Sequence, residues 1–292
     1  MKIPISLLLR KFCIKLIGKI NQLNGSSMLL KSDVILCYHS LSKDNWLFSI
    51  NPQEFEKHIT RLREVREIVK VEELFLKKPS TCLGRVAITF DDGYKNVYKI
   101  AFPILKKYSL KACVFINSSK IVNCEGSFSN RKPLSLEEIK ELKRNGWDFG
   151  YHTMTHSDLR LLSLNALNQE LVEGKSKLES KLGFRVDYLA YPFGVCSKKV
   201  ISVVKRGGYK KAFTIAGGAV NKKDFPYQID RMLIDRFMTN DDLNILLTNK
   251  GLFFNKLFTK ILRYKDDLFL LLTQFANSIK LFKKTLLGLE IT

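Results

Sequence analysis

Histidine is scarce in this chain, with four in 292 residues and none after His156, so any imidazole chemistry rests on His39, His58, His152 and His156. The six cysteines, Cys13, Cys37, Cys82, Cys113, Cys124 and Cys196, form no CxxC pair. That spacing excludes a zinc ribbon and a small disulfide scaffold. Several sit in apolar runs, such as Cys113 in KACVFIN, which predicts reduced, buried thiols in a reducing compartment. No window reaches the roughly 18 uninterrupted apolar residues of a membrane-spanning helix. The opening MKIPISLLLRKFCIKLIGKINQLNG has only the short run ISLLL before Arg10, Lys11 and Lys15, and no small-residue cleavage site follows a full apolar core, so a cleaved secretory signal is not expected. Acidic residues are also few, 28 against 49 Lys and Arg, and residues 1–31 contain none. The resulting charge of +21 favours an anionic partner: a membrane surface, a phosphorylated substrate or nucleic acid.

The chain is 46% hydrophobic, enough for a substantial core and unlike a disordered sequence. Between about residues 32 and 240, short apolar runs alternate with longer helical patterns. DVILCY, RVAITF, KACVFIN, WDFGY, VDYLAY and KAFTIA read as strands. FEKHITRLREVREIV, NVYKIAFPILKKY, SLEEIKELKRNG, LNALNQELVEGKSKLESKLG and SKKVISVVKRGG read as helices. This alternation predicts an α/β fold with a parallel sheet, open or closed into a barrel, and a site at the carboxyl ends of its strands. His39, Asp91 with Asp92, His152 and Pro192 to Gly194 all follow predicted strands.

Three regions are expected: a basic amphipathic segment over 1–31, a catalytic domain over 32–242 and basic amphipathic helices over 243–292. In the last, GLFFNKLFTKILRYK sets Phe254, Leu257, Phe258, Ile261 and Leu262 at helical spacing among Lys256, Lys260 and Arg263. DLFLLLTQFANSIKLFKKTLLG repeats that pattern.

The chemistry concentrates in two stretches. His152-Thr153-Met154-Thr155-His156 spaces two imidazoles four apart, so both can face one metal ion, and it lacks the glutamate of the HExxH zinc peptidases. RVAITFDDG ends a strand on two adjacent carboxylates. One reading of DDG is a turn with an aspartate cap. The other is a shared site, in which one Asp joins two imidazoles as the third metal ligand and its neighbour serves as general base. Like charges held side by side raise one another's pKa, a cost that a neighbouring cation removes. His58, in a charged helical pattern, reads as a surface residue.

Thr89-Phe90-Asp91-Asp92-Gly93 and His152-Thr153-Met154-Thr155-His156, in that order, resemble the first two motifs of the NodB-like polysaccharide deacetylases, over about residues 32–240. The resemblance implies a distorted (β/α) barrel with Asp91 as catalytic base, and Asp92, His152 and His156 as ligands of one divalent metal, zinc foremost with cobalt, nickel or manganese as alternatives. It implies removal of an N-acetyl group from an amino sugar. The family's third motif, R-x-P-[FY]-G, corresponds to Ala190-Tyr191-Pro192-Phe193-Gly194, with alanine in place of the arginine that orients the base. Arg231 or Arg236 is the expected substitute. The stretch Tyr191 to Gly194 is expected to meet substrate, with the Tyr191 backbone N–H facing the oxyanion. Cys37-Tyr38-His39-Ser40 resembles the Tyr-His pair of the poly-N-acetylglucosamine branch and makes His39 the candidate general acid, its alternative being a structural histidine.

Basic amphipathic ends without an export signal predict a cytoplasmic enzyme, peripheral on the inner, anionic face of a membrane, acting on a lipid-linked amino sugar or an N-acetylated glycan. The alternative is that these helices pack on the barrel. Deformylation in place of deacetylation, and a catalytically impaired glycan-binding relative, are the other readings. Nucleic acid is not the expected partner, since the basic residues alternate with Leu, Ile and Phe and no nucleic-acid motif occurs.

Overall fold

The computed structural model describes residues 5–23, 32–76, 84–122, 131–220 and 225–261. The strands are β1 (Val34–Tyr38), β2 (Ser40–Leu41), β3 (Ser49–Ile50), β4 (Glu67–Ile68), β5 (Arg85–Phe90), β6 (Cys113–Ile116), β7 (Asp148–Tyr151), β8 (Tyr188–Ala190), β9 (Lys211–Phe213) and β10 (Met232–Leu233). All six predicted strands form. The main sheet runs β10-β1-β5-β6-β7-β8-β9, with β4 beside the start of β5, and every pairing is parallel. β2 and β3 pair separately.

The two edges of this sheet meet. Phe213 of β9 bridges in parallel to Ile229, and the Thr214 N–H donates to the Ile229 carbonyl at 2.8 Å, just before the chain enters β10 beside β1. The sheet is thereby curled into the predicted distorted barrel. Side chains alternate across it. Ile35, Ala87, Cys113, Phe115, Ala190 and Phe213 form one buried cluster. Leu36, Ile88, Val114, Leu189 and Ala212 join the larger cluster under the helices. Burial on both faces explains why the strands read as unbroken apolar runs. The register places Tyr38 beside Phe90, Ile116 beside Tyr151 and Ala190 beside Phe213, so the residues that follow each of these share one rim. At the other end Arg85, 1% exposed, donates to the Asp33 carboxylate at 2.6 Å and to the Glu73 and Leu74 carbonyls at 2.7 Å, closing the barrel floor.

The predicted helices form with local revisions. Pro52–Val65 stops two residues before β4, so Glu67 and Ile68, expected as helix, are strand. Ser135 and Glu138 make a reciprocal capping box that starts Leu136–Arg144. The helical run over 164–182 contains a π turn at Gln169–Glu173. The N-terminal helix Ile5–Leu23 lies against Asn240–Leu246 closely enough that a Cβ at Gly18 would meet the Ile245 side chain at 2.6 Å. Residues 249–261 are helical. The second predicted amphipathic segment, 267–288, lies outside the described residues, as do Cys82 and Cys124.

One expectation is reversed. His58 is not on the surface: it is 0% exposed, on the stripe Phe55, His58, Ile59, Leu62 and Val65 that the helix turns inward. Its Nδ1 pairs with the Tyr38 hydroxyl at 3.2 Å. The i, i+3, i+4, i+7 spacing was present in the sequence, and the charged neighbours concealed it. Burial pushes the His58 imidazole down to about 4, from about 6.5 in an unfolded chain. The unfolded state therefore binds the proton first, so stability is full above about pH 6.5 and falls as pH drops toward 4, by about 3 kcal/mol for this group. Urea unfolding of the wild type against His58→Gln at a series of pH values should show the difference between them narrowing across that window.

Candidate active site

The Asp91 N–H extends the β1–β5 ladder by donating to the Tyr38 carbonyl at 2.9 Å, and its side chain is fully buried. The backbone then turns left-handed at Asp92, with φ of 68°, and at Gly93, with φ of 65°. That turn separates the adjacent carboxylates. Asp91 takes two parallel bonds from Arg231, Nη1 to Oδ1 and Nη2 to Oδ2, both 2.7 Å. Asp92 turns to His156, whose Nε2 lies 3.9 Å from its Oδ1. Asp92 also takes a hydrogen bond from the Tyr94 hydroxyl, which burial and this carboxylate push well above the usual phenol range.

Arg231 precedes β10 and lies inside the barrel, its guanidinium 5.0 Å from the Phe115 ring. It also donates to Thr89 Oγ1 at 3.2 Å and to the Thr214 carbonyl at 3.3 Å. Ala190 belongs to the same interior cluster as Phe115, the ring that the guanidinium faces. Burial pushes the Asp91 carboxyl up, but Arg231 outweighs it and holds Asp91 well below the usual carboxylate range. Of the two arginines considered, Arg231 reaches the pair. Arg236 does not: it donates to Asn45 at 3.0 Å on the surface and lies over Phe237.

The HTMTH stretch is a loop and not a helical turn. Thr153 and His156 have φ of 65° and 61°, and the His156 N–H closes back on Thr153 Oγ1 at 3.0 Å. The two imidazoles sit 4.8 Å apart, nearly perpendicular. His152 Nδ1 lies 2.8 Å from the Ala190 carbonyl. A carbonyl only accepts, so Nδ1 carries the proton and the Nε2 lone pair faces the site. Asp92, His152 and His156 each offer an atom within 4.8 Å of the others. Two imidazoles and one carboxylate this close together suit a divalent cation such as zinc, so the donor set fits the group that the motifs imply. Among the described residues, four of the five non-glycine residues with positive φ, Asp92, Thr153, His156 and Phe193, belong to this site. Such residues cost about 1–3 kcal/mol each and persist where the surroundings enforce them.

The enforcing group for the loop is Glu170. It is 5% exposed and takes bonds from the Met154 N–H at 2.8 Å, the Thr155 N–H at 3.1 Å and the Thr155 hydroxyl at 2.5 Å. It stands in the π turn, where nothing in the sequence pattern singled it out. Tyr94 was likewise overlooked, although its place directly after the DDG was a usable signal.

His39 is half-buried, stacks on Phe48 at 5.0 Å and meets the edge of Trp46 at 6.0 Å. Its Nδ1 is buried without a hydrogen-bond partner. It shares a second cluster with Cys37 and Asp91, all within 4.8 Å, and the Cys37 thiol donates to Asp91 Oδ2 at 3.3 Å. In the third motif, the expected oxyanion donor is corrected. The Tyr191 N–H is used in the sheet, donating to Phe213 at 3.0 Å, and its hydroxyl bonds the Tyr227 carbonyl at 3.0 Å. Pro192 has no N–H, and the Gly194 N–H donates to Tyr191 at 2.9 Å. The remaining N–H of the stretch belongs to Phe193, whose ring is 61% exposed and rests 4.9 Å from that of His156.

Arg231→Met would leave the Asp91 charge buried and unpaired, so it should cost about 3–5 kcal/mol in denaturant unfolding, and Asp91→Asn in the same chain should recover much of that loss. Glu170→Ala should weaken zinc binding, measured by calorimetry, by roughly 10- to 100-fold while the far-ultraviolet dichroism stays unchanged.

Comparison with known proteins agrees with this geometry. Residues 78–212 match the family model described as polysaccharide deacetylase. The poly-beta-1,6-N-acetyl-D-glucosamine N-deacetylase of Staphylococcus aureus is 31% identical over 212 residues, covering 68% of this chain and 71% of that protein. Two solved structures, each 26% identical, superpose well. The Streptococcus pyogenes deacetylase PplD in complex with acetate has a TM-score of 0.63 over 74% of this chain and 97% of that one. IcaB from Ammonifex degensii has a TM-score of 0.61 over 70% and 93%. With both aspartates, both histidines and the curled parallel sheet in place, the chain belongs to the polysaccharide deacetylase family.

Proposed function

We propose that this protein is a metal-dependent hydrolase that removes the N-acetyl group from an amino sugar of a polysaccharide or lipid-linked glycan. The observation that carries the reading is the division of the aspartate pair, one carboxylate gripped by Arg231 and the other turned to the two imidazoles. The family and the activity named for the Staphylococcus aureus relative support the substrate class.

A divalent cation held by Asp92, His152 and His156 would act as Lewis acid toward the acetamide carbonyl and lower the pKa of a water. The chain's own groups supply the rest. Arg231 favours the ionised form of Asp91, and one oxygen of that carboxylate takes the proton of the attacking water. The Phe193 N–H, carried on a strained, exposed turn, faces the developing oxyanion. His39, clustered with Cys37 and Asp91, hands a proton to the departing amine nitrogen. Burial outweighs the opposing Asp91 and Asp92 charges and lowers the His39 pKa, which makes the protonated imidazole the stronger acid. C–N cleavage releases a free amine and acetate.

Asp92→Ala should lose bound zinc, whereas Asp91→Asn should retain it and lose about 10²-fold or more in turnover. Metal content and release of acetate or formate from a panel of N-acyl amino sugars check both, and formate would move the reading to deformylation. Equal loss of metal in the two variants would overturn the assignment of roles.

A further inference from the structure

The N-terminal helix and the helix over 249–261 meet through one buried residue. Arg10, 7% exposed, donates to Asp235 at 2.7 Å and to Asn255 at 2.8 Å, tying both helices to the chain just beyond β10. Their outward faces carry the same spacing. On the first, Phe12, Lys15, Leu16 and Lys19 are exposed; on the second, Phe253, Lys256, Leu257, Lys260 and Ile261 are exposed. In each the order is apolar, then lysine three residues on, apolar at four and lysine at seven. Five of the eleven exposed large hydrophobic residues among those described lie on these two stripes, and Phe12 and Phe253 are 65% and 71% exposed. Scattered apolar residues are ordinary on a surface, but two matched stripes are not.

We infer that these two helices form a docking platform for an anionic phospholipid surface. Neither 1–31 nor 249–261 contains an acidic residue, so the faces match a negatively charged layer. Lysine and bulky apolar groups interleave on the outward face of each helix, which suits a headgroup boundary, where rings enter the acyl region and ammonium groups meet phosphates. Lys256 lies 3.9 Å from Asp230 and remains 65% exposed, so its head still faces outward. None of the described helices is long and apolar enough to cross a membrane, so the platform would lie on the surface. The inference stands apart from the deacetylase reading, because no residue of the platform belongs to the candidate active site.

The full-length protein should co-sediment with vesicles of equimolar phosphatidylcholine and phosphatidylglycerol and not with phosphatidylcholine alone. Replacing Phe12, Leu16, Phe253 and Leu257 by serine should lower partitioning at least tenfold, and Lys15→Glu, Lys19→Glu and Lys260→Glu should each lower it roughly fivefold. Turnover of a soluble acetylated oligosaccharide should be unchanged in all of these. Vesicle binding indifferent to the stripes would overturn the inference. So would a dimer in sedimentation velocity that the serine variant dissociates, binding to duplex DNA without binding to vesicles, or vesicle binding that appears only after removal of residues 262–292.

Discussion

The pairing of Arg231 with Asp91 is the contact on which the candidate site rests. A buried carboxylate needs a counter-charge and hydrogen bonds, and here the guanidinium supplies two bonds from the barrel interior while Thr89 and the Thr214 carbonyl hold the guanidinium in turn. The same residue lies where the sheet edges meet, between the strand that pairs with β1 and the turn leaving β9. Closure of the barrel and ionisation of the candidate base are therefore one arrangement. A sheet that opened at this seam would withdraw the charge from the site.

From that fixed point the site is assembled by unfavourable backbone. Left-handed residues at Asp92, Thr153, His156 and Phe193 aim side chains that regular strand ends would send elsewhere. Glu170 on a π turn, the Ala190 carbonyl and the Ile116 carbonyl, which accepts from the His152 N–H at 2.7 Å, hold those turns in place. Rigidity of this kind serves a hydrolase, because ligands that do not rearrange on binding a cation lose little affinity to reorganisation.

Much of this was legible in the sequence, for a physical reason. A parallel strand buried on both faces leaves a continuous apolar run, and the residue after the run stands at the rim, so Asp91, His39 and His152 could be placed from RVAITF, DVILCY and WDFGY. Short pieces escaped: β10 has two residues within the three-residue apolar run Met232 to Ile234, and β4 was absorbed into the end of a helical pattern. His58 was misplaced because its charged neighbours outvoted its own helical phase. Tyr191 was assigned a free N–H that the sheet already uses, and no pattern of residue types reveals such a bond. Glu170 and the choice of Arg231 over Arg236 depend on which side chains meet across more than a hundred residues of chain or on an irregular turn, and neither leaves a local mark.

The alanine at position 190 has a wider consequence. Its side chain joins the interior cluster while its carbonyl receives His152, so this position performs one duty, and the grip on Asp91 comes from residue 231. What the site keeps is a cation beside the base, supplied in this chain by the seam of the barrel and not by the motif.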